Sequence, residues 1–362
     1  MKCLPALMVA ALAGCGGAAD GLLTLRAGET ATGIAQGLCA GGPAITIESA
    51  ARDNPAMSLT GFYVTVQLDG TTLASGWTPF TAPDLCAGEE YTITAADYQR
   101  YHFVAWQDGA ATWSRRVILQ GSAAYTAIYQ VGGSIVPLYS WPVDANGDVS
   151  STWNAVAAAH RRWPRVALIP VINNQNGPGP APDASWSRGI DVLVAAGCKV
   201  AGYVYTDYGR RSLAAVESDI AAWRAFYPEV PALFIDQMSN TAGQEGYYAA
   251  LTSYARSRGF DFVIGNPGAP TLPSYVGTVD TMVIYEGTEV PASFASWQAS
   301  YSPASFATLT YALASPLPAG QVSANMPSVA YQYVTDDGVS PDANPWDASS
   351  THLDALLAVL DQ

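Results

Sequence analysis

The stretch SLAAVESDIAAWRAFYPEVPALFID, residues 212–236, changes its hydrophobic period within one short segment. Its first apolar residues recur at the spacing of one helix face, at Val216, Ile220, Trp223 and Tyr227. Residues 232–236 then form a continuous apolar run ending in Asp236, which is typical of a strand buried on both faces of a parallel sheet. The segment therefore predicts a helix followed by a buried strand.

The same alternation repeats along the C-terminal two thirds of the chain. Short apolar runs, separated by segments with helical spacing, occupy residues 134–139, 166–172, 199–206, 232–236, 262–265, 281–285, 306–311 and 328–333. Buried parallel strands that alternate with helices eight times over about 230 residues fit a (β/α)8 barrel. We therefore predict an α/β fold, with a TIM-like (β/α)8 barrel over residues 132–362.

Two carboxylates stand at predicted strand ends, where this fold builds its active sites. Asp236 ends the fourth strand and Glu286 follows the sixth. The histidines are far apart, at positions 102, 160 and 352, and the sequence carries no nucleotide-binding loop. A carboxylate pair flanking the scissile bond is sufficient for glycoside hydrolysis. Asp236 and Glu286 are therefore the candidate catalytic residues, and the sequence predicts neither a metal nor another cofactor.

Several motifs follow one another in order from about residue 135 to the C-terminus. They are VPLY (136–139), NNQNGPG (173–179), GYVYTDYG (202–209), GNPG (265–268), YVTDDG (333–338) and NPW (344–346). Together they resemble the spherulin-4-like proteins, which include endo-acting glycoside hydrolases of the fungal Sph3 type. The resemblance implies a (β/α)8 fold and endo-hydrolysis of α-1,4-linked N-acetylgalactosamine in biofilm or cell-wall exopolysaccharide. Partly deacetylated stretches of that polymer are cationic, which suits a chain with a net charge of −14.

One position departs from the family pattern. That pattern usually reads Asp-Glu at strand four, whereas this sequence reads Asp236-Gln237, and a Gln side chain neither donates an acid proton nor attacks carbon. Asp236 and Glu286 still suffice for a retaining mechanism, with Asp236 as nucleophile and Glu286 as general acid and then base, about 5 to 5.5 Å apart. The alternative is a non-catalytic glycan-binding pseudo-enzyme at the cell surface. A third possibility is hydrolysis of a different amino-sugar polymer.

Other side chains near the strand ends are candidates for substrate binding. Aromatic faces for sugar rings are offered by Tyr139, Tyr205, Tyr208, Tyr285 and Trp346. Polar contacts to hydroxyl or acetamido groups are offered by Asn173, Asn176, Asp207, Gln237 and Asn266. For Tyr139 and Tyr285 the alternative is packing inside the barrel, because inward strand residues fill such barrels in layers.

The chain before residue 132 predicts an all-β domain. Residues 62–68 alternate in polarity, Asp69-Gly70 is a typical two-residue hairpin turn, and residues 71–75 are predicted to form the second strand of the hairpin. Further short strand-like runs follow, which predict a small sandwich-like accessory domain over residues 44–131 after a flexible linker over residues 16–43. We expect three of its tryptophans to lie in its core rather than to stack on sugars: Trp77, Trp106 and Trp113.

The first 15 residues predict export. Lys2 precedes an apolar run over residues 4–13 that is too short to cross a bilayer, which is typical of a secretion signal. Residues 12–15, LAGC, resemble a bacterial lipobox, which implies cleavage before Cys15 and lipid attachment to its thiol. The alternative is an ordinary cleaved signal with an incidental Cys. We expect a cell-surface or periplasmic lipoprotein attached to the membrane by its lipid alone, or otherwise a secreted protein.

The remaining cysteines and the net charge limit the disulfides and the binding partners that the chain can have. Cys39 and Cys86 are candidates for one disulfide, although sequence does not fix connectivity, and Cys198 is typical of a small buried residue. With 30 acidic residues against 16 basic ones, the chain lacks the basic patch that nucleic-acid binding needs. The expected partner is therefore a polysaccharide, bound by a monomer.

Overall fold

The computed structural model describes residues 37–52, 56–339 and 344–362. Every described residue belongs to one compact unit, residues 37–362. The predicted signal peptide, the predicted lipidation site Cys15 and most of the predicted linker lie outside the described residues. In the described part of the chain, no helix is long and apolar enough to span a bilayer.

The N-terminal part of the described chain is all β. Its strands are β1 (Ile45–Ala51), β2 (Ser58–Leu59), β3 (Tyr63–Leu68), β4 (Thr71–Trp77), β5 (Phe80–Ala82), β6 (Glu90–Ala95), β7 (Tyr101–Trp106), β8 (Ser114–Ile118) and β9 (Ala123–Val131). One sheet has the order β2-β1-β9-β7, with β5 also paired to β1, and the other has the order β4-β3-β6-β8. Alternate side chains of each sheet enter one shared core, for example Ile47 from β1 and Val64 from β3. The predicted all-β domain is confirmed.

Only one of the three tryptophans expected in this core is buried. Trp106 is 1% exposed, whereas Trp77 is 58% exposed and Trp113 is 37% exposed. Trp77 pairs with Tyr63 across β3 and β4, and Tyr63 lies on the face of β3 opposite to the buried Val64. Trp113 directly precedes β8, the edge strand of its sheet. The expected core position is wrong for both residues: Trp77 lies on the outer face of its sheet, and Trp113 lies in the segment before β8 and is exposed.

A disulfide joins Cys39 to Cys86. Leu38 forms a bridge with Leu85, and the backbone N–H of Cys39 donates to the Asp84 carbonyl at 2.6 Å. The end of the segment assigned to the linker, residues 37–43, therefore runs beside the β domain.

Cys198 is free and buried, and burial raises the pKa of its thiol to about 12. A thiol of this kind is unreactive at neutral pH.

The C-terminal part is a closed barrel of parallel strands. They are β10 (Gly133–Leu138), β11 (Ala167–Ile172), β12 (Ala201–Tyr205), β13 (Ala232–Asp236), β14 (Phe262–Gly265), β15 (Thr281–Gly287), β16 (Phe306–Thr310) and β17 (Tyr331–Val334). The barrel runs in sequence order from β10 to β17 and closes between those two strands. Each strand overlaps one of the apolar runs, so the predicted TIM-like barrel is confirmed.

Six α-helices surround the described part of the barrel. They are α1 (Ser151–Arg162), α2 (Ala184–Ala195), α3 (Leu213–Phe226), α4 (Glu245–Ser257), α5 (Ala319–Asn325) and α6 (Leu353–Leu360). In α3 the predicted apolar face is buried, and the Trp223 indole donates to the Tyr203 carbonyl at 2.7 Å. Strands β14 and β15 are followed only by short 3₁₀ helices, Pro273–Tyr275, Ser296–Ser300 and Pro303–Ser305. The strict alternation fails there because prolines interrupt both segments.

The β domain contacts the N-terminal end of the barrel. Arg52 of the β domain pairs with Asp280, the residue immediately before β15. Gln130 of β9 donates to the hydroxyl of Tyr331, the first residue of β17. Both barrel residues lie where strands begin. The accessory domain is therefore at the end of the barrel opposite to the carboxyl ends of its strands.

Candidate active site

Four side chains from neighbouring strands meet near the carboxyl end of the barrel. Tyr203 lies in β12, Asp236 ends β13, Asn266 directly follows β14 and Glu286 lies in β15. These strands are consecutive in the barrel, and parallel strands all end on the same side. The two carboxylates selected from the sequence therefore lie in one site, together with a phenol and an amide.

Both oxygens of the Asp236 carboxylate accept a hydrogen bond. The Tyr203 hydroxyl donates to Oδ2 at 2.6 Å, and the Asn266 amide donates to Oδ1 at 2.8 Å. Hydrogen bonds to a charged acceptor are shorter and stronger than neutral ones. Together the two donors fix the direction in which the carboxylate points.

Glu286 occupies a different environment. Burial, and to a smaller extent the nearby Asp236 charge, raise the pKa of its carboxyl from the ordinary 4.5 to about 7, although a hydrogen bond with Asn266 acts in the opposite direction. A carboxyl with this pKa holds its proton over much of the neutral range. The two acids therefore differ in their surroundings, although they share one site.

The loop after β14 approaches Glu286 closely. Gly268 has a φ of +61°, and a Cβ at this position would lie 2.7 Å from Glu286 Oε2. The backbone N–H of Glu286 donates to the Gly268 carbonyl at 3.0 Å, and that of Gly268 donates to the Val283 carbonyl at 3.1 Å. Only a glycine meets both the left-handed conformation and the close approach.

Asn266 has an unused acceptor inside the site. The residue is 6% exposed, and its amide nitrogen is engaged with Asp236. Its Oδ1 atom is buried and has no hydrogen-bond partner among the described residues. Because a buried carbonyl without a partner is costly, this atom is well suited to accept a hydrogen bond from a bound hydroxyl or N–H.

Tyr139 directly follows β10 and lies close enough to both acids for their charges to act on its phenol. Burial raises the pKa of its phenol well above the ordinary value, and the charges of Asp236 and Glu286 raise it further. Its ring meets that of Tyr203 edge to face, with the centroids 5.7 Å apart. The Tyr203 phenol is also held protonated, because burial and then Asp236 raise its pKa. Both phenols are therefore hydrogen-bond donors at neutral pH.

Sequence reasoning missed Tyr203. Its sequence signal is its position two residues before Tyr205 in β12, which places both side chains on one face of the strand. An aromatic residue inside a buried strand is, however, indistinguishable from ordinary core by pattern alone.

Trp346 lies beside the carboxyl ends of three further strands of the barrel, β10, β16 and β17. Its carbonyl accepts from the Tyr139 N–H at 2.8 Å, and its ring lies 5.7 Å from that of Tyr311 and 6.2 Å from that of Tyr333. Tyr139 follows β10, Tyr311 follows β16 and Tyr333 belongs to β17. An aromatic cluster therefore borders this side of the barrel mouth.

Asn173 and Asn176 form a turn after β11. The Asn176 N–H donates to Asn173 Oδ1 at 2.7 Å, and Gln175 and Asn176 both have positive φ angles, of 60° and 63°. Asn residues tolerate this conformation better than most residues. The described contacts of the Asn173 side chain are thus those of a turn residue.

Three further candidates from the GYVYTDYG motif make contacts with arginines. Arg211 lies over the Tyr205 ring, 4.2 Å from its centroid. Arg210 Nε donates to Asp207 at 3.0 Å, and this hydrogen bond lowers the pKa of the Asp207 carboxyl. Tyr208 is 53% exposed, with Arg210 over its ring. Asp207 and Tyr208 lie in a solvent-facing turn next to the site, whereas Tyr205 ends β12 in register with Asp236. Among the described residues, none of these three side chains forms a hydrogen bond with either acid.

Gln237 and Tyr285 each directly neighbour one of the acids in sequence. Gln237 has a φ of +50°, and its carbonyl accepts from the Tyr208 N–H at 2.8 Å and from the Thr206 hydroxyl at 2.7 Å. It therefore follows β13 directly, with a neutral amide where the family pattern has a carboxyl. Tyr285 lines a separate pocket beside the site, with Thr271 and Trp297.

Within the described residues, no group of three or more His, Cys, Asp or Glu side chains is arranged to hold a metal ion. The Asp144–Asp148 segment is a turn, in which Asp144 Oδ1 accepts from the N–H groups of Asn146 at 2.8 Å and of Asp148 at 3.0 Å.

Comparison with known proteins supports the resemblance found in the sequence. Residues 134–360 match the model of the family described as spherulation-specific family 4. Spherulin-4 from Physarum polycephalum is 32% identical over 167 residues, which make up 45% of this chain and 48% of that protein. The chain therefore spans about half the length of this relative.

Two solved structures resemble the barrel. Sph3 from Aspergillus clavatus in complex with GalNAc superposes with a TM-score of 0.52 at 21% identity, over 64% of this chain and 98% of that one. Endo-beta-N-acetylglucosaminidase from Cordyceps militaris has a TM-score of 0.40 at 13% identity, over 64% of this chain and 92% of that one. The first of these similarities supports the barrel fold.

Proposed function

Because the chain belongs to spherulation-specific family 4, we propose that it is an endo-glycoside hydrolase of exopolysaccharide built from α-1,4-linked N-acetylgalactosamine and galactosamine. The observation that carries the proposal is the contrast between the two acids of the site. Asp236 is oriented by two donors, whereas the pKa of Glu286 is raised to about 7. Paired acids in such different environments are the usual basis for assigning an acid and a nucleophile. The solved relative Sph3 is bound to GalNAc, which supports the choice of sugar.

In the first proposed step, protonated Glu286 donates its proton to the glycosidic oxygen as the bond from that oxygen to the anomeric carbon breaks. Asp236 attacks the same carbon from the opposite face of the sugar and forms a glycosyl ester. Tyr203 and Asn266 hold the attacking carboxylate in place. The leaving chain departs with the proton.

In the second step, Glu286 is a carboxylate and takes a proton from a water molecule. The water oxygen attacks the anomeric carbon, the ester bond to Asp236 breaks, and both carboxyl groups return to their first state. Two displacements at one carbon retain its configuration. Tyr139 and Trp346 offer ring faces to the neighbouring sugars, and the buried Asn266 Oδ1 offers an acceptor.

A glycan-binding protein without turnover is the second candidate function. Gln237 favours it, because this amide stands where the family pattern has a carboxylic acid. If that acid were the proton donor, Asp236 and Glu286 would bind a glycan without cleaving it.

Product analysis separates the two candidates. The chain without its first 15 residues is incubated with partly deacetylated α-1,4-linked galactosamine polymer, and the products are identified by mass spectrometry. We expect oligosaccharides from the parent and none from Asp236→Asn or Glu286→Gln. The matched control is Asp261→Asn, the same change at an exposed carboxylate directly before β14. Cleavage by Gln237→Glu alone would identify the parent as a glycan-binding protein, and unchanged cleavage in both acid variants would contradict the hydrolase assignment.

We also propose that Cys15 carries a lipid that holds the exported protein at a membrane. The support is the LAGC pattern after a short apolar run. In bacteria expressing the chain, an alkynyl fatty acid should label the parent and the Cys3→Ser control but not Cys15→Ser. Equal labelling of all three would exclude this anchor.

A further inference from the structure

The β domain carries a pair of exposed aromatic side chains that the proposed reaction does not use. Trp77 is 58% exposed and Tyr63 is 40% exposed, and the two residues are directly paired across β4 and β3. Their rings meet edge to face, with the centroids 5.1 Å apart. Single exposed apolar side chains are common on protein surfaces, whereas contiguous ones mark binding surfaces.

The same surface of this sheet continues as two rows of mostly uncharged polar side chains. The row next to the aromatic pair crosses all four strands and consists of Ser75, Thr65, Thr94 and Ser114. The following row consists of Thr72, Gln67, Thr92 and Arg116. Neighbouring strands of a sheet lie about 4.8 Å apart, so each row spans about 14 Å. We call the surface formed by these two rows together with Trp77 and Tyr63 the outer sheet face.

The outer sheet face offers no unpaired charge. Arg116 is its one charged member, and its guanidinium pairs with the Glu90 carboxylate of the neighbouring strand at 3.6 Å. Every other member is a hydroxyl, an amide or an aromatic side chain, and none of the members is buried. A partner that matches this face is therefore uncharged, rich in hydroxyl groups and longer than a single small molecule.

The backbone that carries Trp77 is anchored in the core of the β domain. The next residue, Thr78, is 3% exposed, and its N–H donates to the Phe62 carbonyl at 2.9 Å. The Thr78 hydroxyl accepts from the Phe62 N–H at 3.2 Å and is hydrogen-bonded to the Ser49 hydroxyl at 2.7 Å. An aromatic ring on an anchored backbone loses little conformational entropy when it binds a partner, because only two side-chain torsions are free.

We propose that the outer sheet face binds a chain of neutral polysaccharide. A pyranose ring has a face of C–H groups and an edge of hydroxyl groups. The rings of Trp77 and Tyr63 suit the C–H face, and the rows of hydroxyl and amide side chains suit the hydroxyl groups of successive sugars. Nucleic acids and anionic membranes require clusters of Lys and Arg, which this face does not have. A second copy of the chain suits it less well, because serine is depleted in protein–protein interfaces.

The position of the β domain determines what such binding would do. This domain contacts the end of the barrel where the strands begin, and Asp236 and Glu286 lie at the other end. A polysaccharide bound at the outer sheet face therefore leaves the proposed active site open. It also keeps the protein near further polymer, which raises the effective concentration of substrate. Only this consequence rests on the proposed function, whereas the binding itself does not.

Retention on insoluble polysaccharide tests the assignment without requiring turnover. The full chain in mild detergent is mixed with cellulose or with fully N-acetylated α-1,4-linked galactosamine polymer, and the bound fraction is measured after sedimentation. We expect retention of the parent on at least one of the two. Trp77→Ala should weaken that binding about tenfold, as for truncation of an aromatic anchor. Trp77→Tyr keeps an aromatic ring and should remain close to the parent.

Ile118→Ala is the matched control. Ile118 is also an exposed apolar residue of this sheet, at 61% exposure, but it is paired with Glu90 at the other end of the strands. We expect this variant to bind like the parent. Because Trp77 is exposed, Trp77→Ala should also keep the parental melting temperature and the parental kcat/KM on short soluble oligosaccharides.

The results separate the outer sheet face from the hydrolase proposal. No retention of the parent on either polysaccharide, equal retention of the parent and Trp77→Ala, or an equal loss in Ile118→Ala overturns the assignment even if polymer is cleaved. A parental dimer that Trp77→Ala converts to a monomer, without any retention, assigns the face to a second copy and also overturns the proposal. Retention that only Trp77→Ala loses supports the assignment even if no polymer is cleaved, and in that case only the hydrolase proposal fails.

Discussion

The Tyr203 hydroxyl lies 2.6 Å from Asp236 Oδ2, to which it donates a hydrogen bond. The phenol reaches the carboxylate from the neighbouring strand, so it holds the proposed nucleophile without belonging to the same loop or strand. Removal of the hydroxyl should therefore disturb orientation rather than folding.

For Tyr203→Phe we expect kcat on the polymer to fall about tenfold, because one of the two groups that orient Asp236 is lost. The ring remains, so the melting temperature should change little. Tyr254→Phe is the control, since it removes a hydroxyl of helix α4 that accepts a hydrogen bond from Arg258. Equal kcat for Tyr203→Phe and the control would contradict an orienting role.

The raised pKa of Glu286 predicts the alkaline limit of activity. The general acid must be protonated, so kcat/KM should decline as the pH rises through about 7. Asp236→Asn removes a charge that raises this pKa, so the Glu286 carboxyl should then titrate at lower pH. Carbon-13 NMR of labelled glutamate measures the shift directly, and an unchanged titration would exclude the coupling.

The same carboxyl should make folding stability depend on pH. Between the ordinary pKa of 4.5 and the folded-state value of about 7, the unfolded chain loses the proton while the folded chain keeps it. Stability therefore falls as the pH rises through this window and then stays level. Glu286→Gln should be more stable than the parent at pH 8, by up to about 3 kcal/mol. Urea unfolding at pH 4 and pH 8 tests this, and an equal difference at both pH values would contradict it.

Gln237→Glu introduces a carboxylate directly after Asp236. Because like charges hold a carboxyl protonated, the pKa of Glu286 should rise and the alkaline limit of activity should move to higher pH. Asn240→Asp is the control, since it adds the same charge at an exposed position three residues further along the loop. Equal displacement of the pH profile in both variants would indicate a general charge effect rather than a local one.

Gly268→Ala should abolish most activity, because the new Cβ would lie 2.7 Å from Glu286 Oε2. Gly277→Ala is a matched control, with a φ of +89° and no neighbour within 4 Å of the new Cβ. Both variants bear the cost of a left-handed alanine, about 1 kcal/mol. The activity lost only in Gly268→Ala then measures the displacement of Glu286, and equal kcat in both would contradict the close approach.

Much of the barrel was predictable because its strands are buried on both faces and read as continuous apolar runs. Asp236 and Glu286 were also predictable as neighbours, since the strand order of a closed barrel brings successive strand ends together. Tyr203 was not, because its hydroxyl chemistry is hidden within an apolar strand. The missing helices have a signal in the prolines, which periodicity alone does not weigh: Pro267, Pro270 and Pro273 follow β14, and Pro291 and Pro303 follow β15.

The pocket lined by Thr271, Tyr285 and Gln298, and the orientation of the Gln298 amide, depend on contacts between distant segments. Ala295 fixes one end of that amide, while Thr271 comes from the preceding loop. The spacing of residues within one segment does not predict a contact between two distant segments. Likewise, Asn173 and Asn176 were reasonable candidates by residue type, but their shared turn uses the Asn173 oxygen internally.

The contacts of Arg52 with Asp280 and of Gln130 with Tyr331 anchor the β domain where barrel strands begin. The loops that carry the proposed site emerge from the other end. Substitutions or insertions in those loops therefore leave the interdomain contacts intact. Variants with exchanged loops should for this reason keep the β domain attached to the barrel in the same way, whatever ligand the new loops bind.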